Sequence, residues 1–220
     1  DHRDLHSFPT RRSSDLGLSE PPATPSITPH PDTPALASFY NFAKNAPSRL
    51  ALPIAVHPGA VLAGHRVRDL VTNPAAQYEA VSALRARYQS RVVLTAMDLS
   101  VEAEAFGCQI NMPEDEVPTV TGRRVTTLAE ARALTVPQPG HGRTGVYLET
   151  ARLLARRPER PLVLGGVIGP FSLAARLTGV SEACELTATD PDLMHVLLEK
   201  SVEMLTAYVS AFKEIGRAHV

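Results

Sequence analysis

Three short apolar runs constrain this chain more than any other feature. Residues 50–57 (LALPIAVH), 91–98 (RVVLTAMD) and 161–168 (PLVLGGVI) are continuous, partly β-branched and too short for buried helices. Runs of this kind read as strands buried on both faces. The stretches between them carry helix signals. Asn73-Pro74 supplies a cap and a first-turn proline ahead of Tyr78, Val81, Leu84 and Tyr88 at helical spacing. Residues 100–106 have the propensities of a helical turn that ends at Gly107, and Thr127-Leu128-Ala129-Glu130 fits a capping box for a helix running to about Leu134. Residues 144–157 and 171–177 read as helices, and Asp190-Pro191 opens a last one with Leu193, Leu197, Leu205, Tyr208 and Phe212 on one face. Apolar strands joined by helical crossovers of about thirty residues or more form parallel sheets covered by helices. The expected fold class is therefore α/β. Three strands neither close a barrel nor complete a doubly wound sheet, so the chain is expected to be part of a larger fold.

The ends read differently. Residues 1–16 (DHRDLHSFPTRRSSDL) and 214–220 (EIGRAHV) match, codon for codon, translated sequencing-adapter DNA, and are expected to be foreign to the natural protein. The first methionine is Met97, inside one of the apolar runs, which agrees with an interior piece of a longer reading frame. The expected organisation is then an adapter at 1–16 and a Pro-rich lead-in with a possible short helix at 17–46. A folded part spans 47–213, and a second adapter follows at 214–220. Within the lead-in, residues 17–34 hold almost no large apolar side chain and are expected to stay disordered.

Charge and cysteine content exclude several functions. With 22 Lys+Arg against 23 Asp+Glu the formal charge is -1, which removes the electrostatic case for nucleic acid or an anionic membrane as partner. Two cysteines, Cys108 and Cys184, form neither a disulfide framework nor a Cys-rich metal site, so a reducing cytoplasm is the simplest location. There is no P-loop, no GxGxxG after a strand, no GxSxG elbow, no HExxH helix and no CxxC pair.

In parallel α/β folds reactive groups collect at the C-terminal ends of strands. His57 is expected to end the first strand and Asp98 the second, with Gly169-Pro170-Phe171 after the third. Asp98, a carboxylate following a largely apolar run, is suited to act as acid, base or partner of a cationic substrate atom, or to cap the next turn. Glu102 lies four residues on and either approaches Asp98 or sits on a solvated face; Glu104 diverges from it. His57 is either a ligand or acid or a hydrogen-bonded structural residue. His65, His141 and His195 read as surface or packing residues, Gly140-His141-Gly142-Arg143 as a loop able to touch an anion, and both cysteines as inert packing thiols.

Three segments together resemble the uroporphyrinogen decarboxylase superfamily: 50–59 (LALPIAVHPG), 92–110 (VVLTAMDLSVEAEAFGCQI) and 161–179 (PLVLGGVIGPFSLAARLTG). The resemblance implies a (β/α)8 TIM barrel of which this chain holds roughly the first three β/α units. The resemblance places the family's binding-site Asp at Asp98; with strand position it leaves Asp98 and His57 as the expected catalytic residues and Glu102, Gly169, Pro170, Phe171 and Ser172 as expected to bind substrate. The family's decarboxylases remove carboxylates from tetrapyrrole acetate groups and carry an Arg-rich motif after the first strand. This chain has HPGAVLAGHRV there, and Arg176 where those enzymes have a pocket tyrosine. The MDLSVEAEAFG core instead resembles the corrinoid-dependent methyltransferases, including methylcobamide:coenzyme M methyltransferases. For that branch the resemblance implies zinc held by a His-x-Cys pair and a later Cys beyond residue 213, and a corrinoid presented by a partner protein. The piece itself would bind neither and would be inactive. A decarboxylase of porphyrin synthesis and a non-catalytic barrel are the alternatives.

Overall fold

The computed structural model describes residues 43–47, 54, 56–159, 161–215 and 218–219. These lie in one unit, Pro34–Val220. The Pro-rich lead-in at 17–34 and most of the expected first strand fall outside the described residues. Where that strand was expected to end, the backbone instead turns helical. His57 opens helix α1 (His57–Ala63), with Pro58 in its first turn and Gly64 at φ 74° closing it. Proline is tolerated at a helix start because the amide it lacks has no intrahelical acceptor there. The expectation that His57 ends a strand is thus corrected.

Helix α2 (Val67–Thr72) leads to α3 (Pro74–Tyr88), whose cap is the expected one: the Asn73 side chain accepts the Ala75 amide at 2.9 Å. Helix α1 lies close on α3 because residue 59 is glycine; a Cβ there would run into the Ala80 carbonyl. Strand β1 (Val92–Leu94) follows, then the short helix α4 (Val101–Ala105). An antiparallel hairpin of β2 (Gln109–Asn111) and β3 (Thr119–Thr121) comes next, paired Ile110 to Val120, which the sequence reading did not anticipate. Helix α5 (Leu128–Ala133) opens on the expected capping box, in which Thr127 takes the Glu130 amide and the Glu130 carboxylate takes the Thr127 amide. Helix α6 (Thr144–Ala155) then leads to β4 (Leu162–Leu164). The chain continues through α7 (Pro170–Thr178), α8 (Val180–Thr189) and α9 (Pro191–Glu214), the last capped by Asp190 on the Leu193 amide at 3.1 Å.

Strands β1 and β4 pair in parallel, Val92 with Leu162 through Leu94 with Leu164, as apolar runs separated by helical crossovers require. A two-residue strand, β5 (Ala218–His219), pairs in parallel with the other edge of β4 and occupies residues that the sequence reading had set apart from the fold. The order β1-β4-β5 makes β4 central. Helix α9 covers the sheet and the neighbouring helices with buried Leu193, Met194, Leu197, Met204, Leu205, Tyr208 and Phe212. Each large apolar side chain so buried contributes about 1.5–3 kcal/mol. The Tyr208 and Phe212 rings pack tilted at 4.8 Å, and Gly165 after β4 lets Phe212 approach, since a Cβ there would lie 2.7 Å from its ring. Among the described residues no helix is long and apolar enough to cross a membrane.

Candidate functional site

The segment after β1 is held straight by three bonds. The Thr95 amide donates to the Leu164 carbonyl at 3.1 Å, the Ala96 amide to Gln77 Oε1 at 3.1 Å, and the Gly166 amide to Thr95 Oγ1 at 3.2 Å. Gln77 is fully buried on α3 and its Nε2 donates to the Leu70 carbonyl at 2.9 Å, so both ends of its amide are used. This clamp delivers Asp98 to the sheet's C-terminal end, 5% exposed.

Asp98 does not stand alone there. Its Oδ1 accepts the Ser100 amide at 2.9 Å and the Ser100 hydroxyl at 2.6 Å, the turn-capping arrangement weighed from sequence. Its Oδ2 accepts Arg143 Nη1, while Arg143 Nε reaches Glu104 and Nη2 donates to Ser100 Oγ at 2.8 Å. Arg143 closes the expected loop of residues 140–143 immediately before α6 and is 6% exposed, its guanidinium a buried partner of two carboxylates of the same chain. Burial acts to lower its pKa, but the Asp98 and Glu104 charges outweigh that and hold it above the ordinary value. Charge-assisted bonds of this kind are the strong class, and the fork geometry of arginine suits them.

Glu102 points elsewhere, as positions two apart on a helix must relative to Glu104. It is 3% exposed, which corrects the solvated-face alternative, and its Oε1 accepts the Ile168 amide at 3.1 Å. Burial pushes its carboxyl above the ordinary glutamate range, with the Ile168 amide pulling the other way and the Asp98 charge adding to the rise. Glu102 and Asp98 line a small, partly open cleft together with Ala96, Met97, Val101, Tyr147, Gly166, Val167, Ile168 and Tyr208, Leu99 completing the wall. Met97 can reach across to β4 because residue 166 is glycine; a Cβ there would collide with its sulfur.

The remaining expected site residues lie outside that lining. His57 is half-buried on α1, within electrostatic reach of Asp98. Its Nε2 is buried without a hydrogen-bond partner among the described residues, and burial lowers its pKa while Asp98 acts to raise it. Gly169, Pro170, Phe171 and Ser172 form the exposed start of α7. Arg176, from the same helix, donates to the Leu99 carbonyl at 2.6 Å and so ties α7 to the loop after Asp98. His65 pairs with Glu79 at 2.6 Å, and His141 and His195 are exposed. Cys108 is buried, its thiol pushed up to about 11 by burial, and Cys184 is exposed rather than packed. The residues that sequence reasoning missed are Gln77 and Tyr147, neither of which carries a local signal, whereas Arg143 was expected to be able to touch an anion and meets the Asp98 and Glu104 carboxylates.

The model of the uroporphyrinogen decarboxylase (URO-D) family matches residues 47–219. The chain belongs to the uroporphyrinogen decarboxylase family. Within that family it is 30% identical over 126 residues to the methylcobamide:CoM methyltransferase MtbA of Methanosarcina acetivorans, covering 56% of this chain and 37% of that protein. It is 29% identical over 137 residues to the methylated-thiol–coenzyme M methyltransferase of Methanosarcina mazei, covering 61% of this chain and 35% of that one. To the uroporphyrinogen decarboxylase of Salmonella paratyphi B it is 27% identical over 141 residues, 61% of this chain and 39% of the other. A solved methyltransferase from Methanosarcina mazei superposes with a TM-score of 0.66 at 25% identity, over 74% of this chain and 49% of that structure. The URO-D fold here is thus an incomplete (β/α)8 barrel, and the match spans 35–39% of the length of these three curated relatives.

Proposed function

We propose that the whole protein to which this URO-D chain belongs is a cytoplasmic methyltransferase that moves a methyl group from a methyl-corrinoid, presented by a partner protein, to a thiol or similar acceptor. The observation that carries this reading is the charge of the cleft. Its lining holds two carboxyl groups, Asp98 and Glu102, and no Arg, Lys or His. The buried guanidinium nearby is committed to Asp98, Ser100 and Glu104. Decarboxylating a tetrapyrrole that carries many carboxylates calls for cations facing the substrate, and this cleft offers none. Relatives named as methyltransferases, at 29–31% identity, support the same choice over the decarboxylases at 27%.

In this reading Asp98 and His57 act at the reaction centre, Asp98 through the charge it shares with Arg143. Glu102 contacts substrate from the cleft wall, and Gly169, Pro170, Phe171 and Ser172 contact it from the rim. Zinc, when bound by a member of this branch, lowers the pKa of the acceptor thiol. Among the described residues no group of three or more His, Cys, Asp or Glu side chains is placed to hold a metal ion, and the cleft does not enclose a corrin ring. The described residues therefore fit neither group.

The test uses the whole protein with methylcobalamin and an uncharged thiol, 2-mercaptoethanol, following loss of the methylcobalamin spectrum, beside a parallel assay of uroporphyrinogen decarboxylation. Demethylation that falls at least about tenfold in Asp98→Asn is the expected result. Decarboxylation without demethylation would overturn the reading in favour of the family's other chemistry, and activity in neither assay would leave a non-catalytic barrel.

A further inference from the structure

Ladder pairing between β1 and β4 ends at Leu94 and Leu164, with one further bond from the Thr95 amide to the Leu164 carbonyl. The two segments that carry the site run on past that point. Residues 96–100 hold Asp98, and residues 165–169 lead to the rim at 169–172. Side chains take over where the backbone bonds stop. Thr95 Oγ1 accepts the Gly166 amide at 3.2 Å, Glu102 Oε1 accepts the Ile168 amide at 3.1 Å, and Arg176 Nε donates to the Leu99 carbonyl at 2.6 Å. Glu102 and Ile168 are both buried, so water cannot readily replace the middle bond. Helix α7 has no side-chain cap at Gly169, and these outside bonds hold it instead. Glu102 grips the residue before its cap, and Arg176 reaches out from its last turn.

We propose that Glu102 and Arg176 form a two-point latch that fixes the gap between Asp98 and the rim at residues 169–172. Both are then positioning residues for a substrate that bridges this gap. Groups that must act together lose about a hundredfold in rate when one is misplaced by about 1 Å. The Ile168 bond uses one carboxyl oxygen, so the substrate contact proposed for Glu102 falls to the other. The positioning role rests on the proposed reading that Asp98 and the rim meet the substrate; the latch itself does not.

Two readouts on the whole protein separate the latch from the reaction. In amide-resolved hydrogen exchange, Glu102→Leu should speed the Ile168 amide about tenfold or more beyond any global loss of stability. Glu102→Gln keeps a carbonyl oxygen for that amide and should stay within about twofold of the parent. Arg176→Met keeps the apolar stem, loses the donor and should speed the amides of residues 173–176 about fivefold. In whichever of the two activity assays the parent supports, Glu102→Leu and Arg176→Met should each lower kcat/KM about tenfold, with Glu102→Gln retaining more than Glu102→Leu. The double variant should lose about as much as the worse single one, since both release the same gap. Parent-like exchange at Ile168 in Glu102→Leu, losses that multiply in the double variant, or faster exchange with kcat/KM unchanged would each overturn the proposal. A parent inactive in both assays with the expected exchange pattern would refute the proposed activity and leave the latch in place.

Discussion

Removing the Arg143 side chain would leave Asp98, whose side chain is fully buried, and the partly buried Glu104 without their counter-charge. Breaking a buried ion pair from one side costs about 3–5 kcal/mol, more than the pair itself contributes, because the orphaned charge stays desolvated. Arg143→Ala is therefore expected to lower the denaturant midpoint sharply. Asp98→Asn should cost less, about 1.5–3 kcal/mol, since Glu104 still neutralises the guanidinium. The ion pair makes Asp98→Asn a stability mutation as well as a site mutation, so turnover must be compared at matched folded fractions. Glu102 gives the residue scale a pH signature. Its folded-state pKa is raised, chiefly by burial, so the folded state holds the proton more tightly than the unfolded chain does. Stability is then lost as pH rises from the ordinary glutamate value through the raised one. Glu102→Gln removes that loss, and its unfolding temperature relative to the parent should climb across the same window in a pH series of thermal melts.

At the scale of elements, the Gln77 clamp does for the β1 extension what a neighbouring strand does for β1 itself. Its amide joins the end of α2, through the Leu70 carbonyl, to the Ala96 amide two residues before Asp98. Gln77→Leu fills the same space but strands a buried donor and a buried acceptor, at about 1–3 kcal/mol each. Faster hydrogen exchange at the Ala96 amide, beyond the global loss of stability, is the expected readout; protection equal to that of the parent after correction would show that the clamp is dispensable. Helix starts were legible because caps are local: Asn73-Pro74, Thr127 with Glu130, and Asp190-Pro191 all behave as their spacing requires. The β2–β3 hairpin was not legible, since three-residue strands such as Gln109–Asn111 carry too little alternation to register. The run ending at His57 misled because an apolar stretch before Pro-Gly reads as a strand with its turn, whereas here the proline starts a helix.

For the molecule as a whole, the apolar side chains left outside the core have consequences of their own. Val61 is 81% exposed and Leu62 52% on α1, and Phe171 and Val180 are exposed on α7 and α8. Exposed apolar groups of this size promote association in solution. The 220-residue chain is expected to self-associate with rising concentration in sedimentation velocity, and Val61→Lys with Leu62→Lys should reduce that without lowering the unfolding temperature. Sedimentation unaffected by the substitutions would place the association surface elsewhere.

The sequence by itself determined the α/β class, the apolar runs that become β1 and β4 and most helix starts, and it singled out Asp98 as an expected site residue. Each of these depends on neighbours within a few positions, through periodicity, capping and the length of apolar runs. Only the tertiary structure decided what Asp98 faces. Arg143 stands 45 residues from it, Tyr147 a turn further on, and Gln77 nineteen residues from the Ala96 amide. Local sequence names Arg143 as able to meet an anion but not which one, and does not mark Tyr147 or Gln77, because a buried ion pair or a lining hydroxyl is created by the packing of α3, α4 and α6 around the strand ends, and a one-dimensional pattern does not carry that distance.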